Sequence, residues 1–239
     1  MKFFNYSNYL SFKNWNAESF GEINSNDRVY FNNEFDRIGV TEFDSKKILE
    51  LGFGNGSFAS WAVEKGFNYF GVELISDLVR VAKDRGFNVY DSLIPLEKIA
   101  ASQSIDYVVA FDVFEHLNIK EIELKLVECF AVLKPGGKLI GRVPSGDSPF
   151  SLSIQNGDIT HKSSLGSSMI RQLAMAVGFE VEVIRPPSLP IMGLGIKTLL
   201  RRLTIRIVRR LCYPFVINIF MGGGKLVLTP NLLFVIKKP

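Results

Sequence analysis

The chain of 239 residues has only two cysteines, Cys129 and Cys212, and only two histidines, His116 and His161. Two widely separated cysteines build neither a disulfide framework nor a cysteine-based metal site, so a reducing, cytoplasmic setting is expected. Two histidines confine any imidazole chemistry to two positions. No apolar run reaches the roughly 20 residues that a bilayer span needs. The opening MKFFNYSNYLSFKNWN is interrupted by Asn, Ser and Lys, so no export signal is expected. Internal repeats and low-complexity tracts are also missing. One region lacks acid altogether: Glu182 is the last acidic residue, and Val183 to Pro239 holds ten Lys or Arg. The first 182 residues carry 18 basic against 24 acidic residues, so the overall net charge of +4 conceals two oppositely charged parts.

What is present is a chain 47% apolar, long enough to bury a sizeable core as a single domain. Its most informative segment is KKILELGFGNGS, Lys46 to Ser57. An apolar run ending in Glu50 reads as a strand buried in a parallel sheet. Glycines at 52, 54 and 56 then let the backbone turn sharply and approach a ligand without a Cβ in the way. The spacing is Glu-x-Gly-x-Gly-x-Gly, whereas a dinucleotide fingerprint wants G-x-G-x-x-G and finds only Ala59 for its last position, which disfavours that reading.

Further elements follow in alternation. Asn68 to Leu74 reads as a second strand ending in Glu73, where a carboxylate suits two ribose hydroxyls. A helix from Ile75 to Arg85 precedes a third strand ending in Asp91. IDYVVAFDVFEHL gives a fourth strand that breaks at Asp112, then a helix from about Lys120 to Leu133. Pro135-Gly136-Gly137 stops that helix and reverses the chain into a fifth strand, Lys138 to Val143. Phe179 to Arg185 and Leu232 to Lys237 are two later apolar segments.

Glu50 with its three glycines, Glu73, FDVFEHL, LKPGG and AVGFEVEVI occur in an order and spacing that resemble the class I S-adenosylmethionine-dependent methyltransferases. The resemblance covers roughly residues 45–185. It implies a Rossmann-like α/β fold: a doubly wound, mostly parallel seven-stranded sheet with an antiparallel last strand, in which Phe179 to Arg185 is the sixth strand and Leu232 to Lys237 the seventh. It further implies S-adenosylmethionine as cofactor, held by Glu50, Gly52, Gly54, Gly56, Glu73, Asp91 and Phe111. Residues 1–40 are expected to form a lid, since Phe3, Phe4, Tyr6, Tyr9, Phe12, Trp15, Phe20, Tyr30 and Phe31 crowd that segment; the alternative is ordinary aromatic core packing. Residues 188–226 form an insertion before the last strand.

Within that insertion, IKTLLRRLTIRIVRRL from Ile196 to Leu211 has the period of a basic amphipathic helix. Ile196, Leu199, Leu200, Leu203, Ile207 and Leu211 share one face, and Lys197, Arg201, Arg202, Arg206 and Arg209 lie largely opposite. Three readings stand: the apolar face packs on the core, the helix lies on an anionic membrane surface, or its basic side meets nucleic acid. Cys212 to Met221 is apolar but broken by Pro214 and Asn218.

His161 and His116 are the catalytic candidates, because methyl transfer to a hydroxyl benefits from a base that titrates near neutrality. His161 is favoured as base, with Asp158 three residues earlier to orient it. The structural alternative is that His116 caps a helix and His161 pins a loop. Asp112-x-x-Glu115-His116 also resembles the E-x-x-E-H segment of ubiquinone-pathway and small-RNA 2′-O-methyltransferases, where such groups hold a divalent ion. Here aspartate replaces the first glutamate, and no metal is assigned. The stack N/D-P-P-Y/F expected of base methylases is missing after the fourth strand. The expectation is therefore O-methylation of a small molecule or glycan, as in bacterial surface-polysaccharide pathways, in the cytoplasm or at the inner membrane face. An RNA methyltransferase and a non-catalytic cofactor-binding protein remain as alternatives, although no interleaved aromatic and basic surface supports nucleic acid.

Overall fold

The computed structural model describes residues 6–191 and 193–239. Phe3 and Phe4 lie outside them. Two helices come first, α1 (Tyr6–Lys13) and α2 (Ser25–Arg37). Strands and helices then alternate: β1 (Lys47–Leu51), α3 (Ser57–Glu64), β2 (Asn68–Glu73), α4 (Ser76–Asp84), β3 (Val89–Asp91), the short α5 (Leu96–Ile99) and β4 (Ile105–Phe111). After a 3₁₀ turn at Phe114–His116 come α6 (Ile119–Val132), β5 (Leu133–Pro144), the short α7 (Leu152–Gln155), α8 (Ser167–Val177), β6 (Glu180–Arg185), α9 (Ile196–Phe220) and β7 (Asn231–Lys237).

The strands form one seven-stranded sheet in the order β3-β2-β1-β4-β5-β7-β6. β1 to β5 pair in parallel, and β7 runs antiparallel to both β5 and β6. Alternation along each strand divides the core between the two faces. On β1 Ile48 joins the cluster with α2, α3 and α4, while Leu49 and Leu51 join the cluster with α6 and α8. On β5 Ile140 takes the first side and Leu139 and Val143 the second.

Local chemistry sets the element ends. Asn118 accepts from the Glu121 amide and Glu121 returns a bond to the Asn118 amide, which closes the N-terminus of α6 as a capping box. Gly178 ends α8 with φ +99°. Two boundaries differ from the sequence reading. The Pro135-Gly136-Gly137 segment lies inside β5, and pairing with β4 jumps from Leu133 to Lys138, so the turn residues make an irregularity in a strand that begins earlier. α9 does not end near Leu211 but continues to Phe220 through Pro214. Proline there omits one backbone hydrogen bond without stopping the helix.

α9 has no buried residue. The reading in which its apolar face packs on the core is overturned. No helix among the described residues is long and apolar enough to cross a membrane.

Candidate active site

A cleft of about 340 Å³ opens at the C-terminal ends of the central strands, the position where doubly wound sheets bind ligands. One wall is the glycine loop. β1 places the Glu50 carboxylate there, buried, accepting a hydrogen bond from the Tyr69 hydroxyl at 2.6 Å. Burial pushes the Glu50 pKa up to about 8, against the lowering effect of that hydrogen bond, and nearby Glu73 adds to the rise. Gly52 and Gly54 have φ of +66° and +51°, where a side chain is strained. A Cβ on Gly54 would stand 2.8 Å from the Trp15 ring. Gly56 begins α3 as its N-cap.

Glu73 closes β2, and its buried carboxylate accepts from the Gly54 amide at 3.0 Å, the Leu74 amide at 2.7 Å and the Ile75 amide at 3.1 Å. Burial raises its pKa despite these three donors. Asp91 is its register partner on β3. Glu73 and Asp91 sit at strand ends beside the loop without lining the cleft, whereas Glu50, Gly52, Gly54 and Phe111 line it. Phe111 ends β4 and stacks on Phe31 of α2, with ring centroids 5.9 Å apart and planes 4° apart.

The N-terminal aromatics divide by depth. Phe20, Tyr30 and Phe31 are buried in the core beside α3 and α4. Tyr9, Lys13 and Trp15 line the cleft, and Phe12 is exposed.

The same cleft is also lined by the acid–base groups that follow β4. Asp112 sits at φ +58°, a strained backbone for a non-glycine residue, at the point where β4 turns away. Its carboxylate is gripped by Arg142, whose Nε lies 3.0 Å from Oδ1 and whose Nη2 bonds Oδ2. The guanidinium also lies 5.1 Å from the ring centroids of both Tyr30 and Phe111. Glu115 is buried, and among the described residues its Oε2 has no hydrogen-bond partner. Burial, followed by the neighbouring Asp112 charge, raises its pKa well above the usual carboxylate range.

The two histidines, distant in sequence, meet with ring centroids 4.8 Å apart. His161 Nδ1 lies 2.9 Å from the Gln155 carbonyl, an acceptor only, so Nδ1 carries the proton and Nε2 is left with its lone pair. His116 reaches the same tautomer by another route. The Thr160 hydroxyl donates its single hydrogen to Asp158 Oδ1 at 2.5 Å and therefore accepts from His116 Nδ1 at 2.8 Å. Burial and the neighbouring His161 hold the His116 pKa below the ordinary imidazole value.

This corrects the sequence reading of Asp158. Its carboxylate does not orient His161 but acts through Thr160 on His116. It also receives Lys13 Nζ at 3.0 Å and the Tyr9 hydroxyl at 3.3 Å. Burial alone would raise the Asp158 pKa, yet the Thr160 hydrogen bonds and the Lys13 ion pair hold it well below its usual value. Lys13, Thr160 and Arg142 were missed from sequence. Thr160 stands inside the DITHKS segment, and its neighbour His161 was the available signal. Arg142 is one alternating residue of an ordinary strand and carried none. Among the described residues, the donor atoms of Glu115, His116 and His161 all lie within 4.8 Å of one another.

A family model described as a methyltransferase domain matches residues 49–141. The ubiquinone biosynthesis O-methyltransferase of Idiomarina loihiensis is 31% identical over 100 residues, covering 39% of this chain and 40% of that protein. The chain thus matches less than half the length of that curated relative. A SAM dependent methyltransferase from Archaeoglobus fulgidus superposes with a TM-score of 0.62 at 19% identity, over 88% of this chain and 94% of that one. The 1,6-didemethyltoxoflavin-N1-methyltransferase of Burkholderia thailandensis, solved with S-adenosylhomocysteine, gives a TM-score of 0.54 at 13% identity, over 90% and 79%. The matched segment holds the glycine loop, β2 and the turn after β4; residues 49–141 thus match a methyltransferase domain, and most of the chain shares the fold of solved S-adenosylmethionine-dependent methyltransferases.

Proposed function

We propose that this protein transfers a methyl group from S-adenosylmethionine to a hydroxyl of a small molecule or glycan. The observation that carries the reading is that one cleft is lined both by the glycine loop and by two imidazoles whose Nδ1 atoms are engaged, leaving Nε2 available. Glu50, Gly52, Gly54 and Phe111 hold the cofactor in the cleft, and Gly56, Glu73 and Asp91, which do not line it, support the loop and strand ends beside them. The side-chain-free backbone at Gly54, closely approached by the Trp15 ring, and the acid at Glu50 suit a ligand bearing a cationic centre. When bound, S-adenosylmethionine supplies an electrophilic methyl group on a sulfonium.

The chain's own work is positioning and proton removal. His161 Nε2 accepts the proton of the acceptor hydroxyl as the oxygen attacks. His116 Nε2, 4.8 Å away by ring centroid, hydrogen-bonds or relays that proton. Tyr9, Lys13 and Trp15 act as a lid over the cleft. The acceptor belongs to polysaccharide or related biosynthesis and is met in the cytoplasm or at the inner membrane face. The DxxEH segment's likeness to an O-methyltransferase pattern favours oxygen as the methylated atom.

One observation favours a second reading, a divalent ion held by Glu115, His116 and His161. Among the described residues Glu115 Oε2 is buried without a partner, and the three donor atoms converge. Such an ion would lower the pKa of a bound hydroxyl. Asp112 would not join the set while Arg142 holds its carboxylate. One experiment separates the two. With His161 as base, His161→Ala lowers turnover by about 10²-fold, keeps cofactor affinity, and the wild type ignores chelators. If chelation abolishes activity and added Mg, Mn or Zn restores it, the metal reading replaces the base reading.

A further inference from the structure

α9 is mounted inside out. At about 100° per residue, Arg202, Ile205, Arg209, Tyr213 and Val216 fall within about 80° of one another. This is the half-buried side, turned toward the body of the protein. Arg202 donates to the Pro190 carbonyl at 2.5 Å and to Asn26 Oδ1 at 2.8 Å. Tyr213 stacks on Phe150, with ring centroids 6.3 Å apart and planes 13° apart. The opposite side is apolar and faces outward: Ile196, Leu200, Leu203, Ile207 and Leu211 are all exposed, up to 70% for Leu211. A soluble helix arranges these sides the other way round.

Charge identifies what covers the stripe. Lys197 and Arg201 flank it on one side and Arg206 and Arg210 on the other, all exposed, and α9 contains no acidic residue. An apolar stripe bordered by cations on both edges matches a bilayer surface, acyl chains under the stripe and anionic headgroups against its borders. A second copy of this helix would set these cations against one another. Exposed apolar side chains also lie between the inward side of α9 and the cleft. Phe150, which carries Tyr213, is exposed, as are Leu152 and Ile154 of α7, and Ile154 lines the cleft together with His161.

We infer that α9 and the adjoining Phe150–Ile154 segment form a docking surface for an anionic lipid bilayer, which brings the mouth of the cleft to the headgroup layer. The docking stands independently of the proposed methyl transfer; only its consequence, presentation of a lipid-linked or amphipathic acceptor, rests on that reading. Arg202 and Arg209 are not part of the lipid-facing surface, because the structure turns both toward the protein.

The test is sedimentation of the full chain with vesicles of phosphatidylcholine plus phosphatidylglycerol and with vesicles of phosphatidylcholine alone. Two variants accompany the wild type: Lys197→Gln/Arg201→Gln/Arg206→Gln/Arg210→Gln, and Leu200→Ser/Ile207→Ser/Leu211→Ser. Wild type is expected to bind the anionic vesicles, release in high salt and bind the neutral vesicles weakly, with each variant losing at least about ten-fold in partitioning. Calorimetry with S-adenosylmethionine, run on all three proteins, monitors the methyltransferase reading separately: its failure would remove that reading and leave vesicle binding intact. Equal partitioning of wild type and both variants, or equal binding to neutral and anionic vesicles, overturns the docking. A wild-type dimer that becomes monomeric only in the serine variant also overturns it, by showing that a second copy covers the stripe.

Discussion

β5 and α9 carry equally plain hydrophobic patterns and use them in opposite senses. Leu139 of β5 is wholly buried, with β4 and β7 on either side and helices over its face. Leu211 of α9 belongs to a cleaner amphipathic stripe and is 70% exposed. Periodicity reports which side chains share a face. It says nothing about what lies opposite that face, because the neighbour is chosen by tertiary packing.

The largest effect is expected where backbone geometry leaves no room. Gly54→Val places a branched side chain at φ +51° and drives its Cβ toward Trp15, so calorimetry should detect no S-adenosylmethionine binding. Retained affinity would remove the glycine loop from the cofactor site. In the buried region, Leu139→Ala should cost about 2 to 5 kcal/mol of unfolding free energy. Its counterpart Leu211→Ala should stay within roughly 0.5 kcal/mol. Paired denaturant titrations measure both, and comparable losses would mean that the Leu211 face of α9 is packed in solution.

Effects at the cleft are intermediate. Thr160→Val removes the hydroxyl that fixes the His116 tautomer, so turnover should fall by about ten-fold while cofactor affinity holds. A serine at the same position should restore most of the rate, which simple packing damage would not allow. The smallest effect concerns pH. The Glu50 carboxyl is raised to about 8 in the free protein, so it is protonated at neutrality. A cationic ligand favours the ionised form and lowers that pKa. Binding therefore releases a proton, and S-adenosylmethionine affinity should rise with pH and level off above about 8. Calorimetry in buffers of different ionisation enthalpy shows the released proton, and Glu50→Gln should flatten the profile.

Much of this site was legible along the chain because it is local. The acid and glycines of the first loop lie within seven residues, and the turn after β4 holds Asp112, Glu115 and His116 within five. The remaining features depend on distant contacts. Asp158 was assigned to the wrong imidazole because sequence proximity suggested His161, whereas the backbone turns Thr160 toward His116 across 44 positions. Lys13 reaches Asp158 from α1, and Arg142 reaches Asp112 from the neighbouring strand. A long cationic side chain shows no preference for a partner until the sheet places one beside it.

The succession of strands and helices along the chain followed from apolar runs and turn residues, since a buried strand and its crossover helix each impose a period on the sequence, while the arrangement of the sheet was implied by the family resemblance. The glycine loop was likewise determined locally, because φ values of this sign exclude almost every other residue. Tertiary structure alone decided which carboxylate serves which imidazole and that the stripe of α9 faces outward. Both depend on what stands opposite a side chain, and that is settled by the packing of the whole chain rather than by the spacing of its residues.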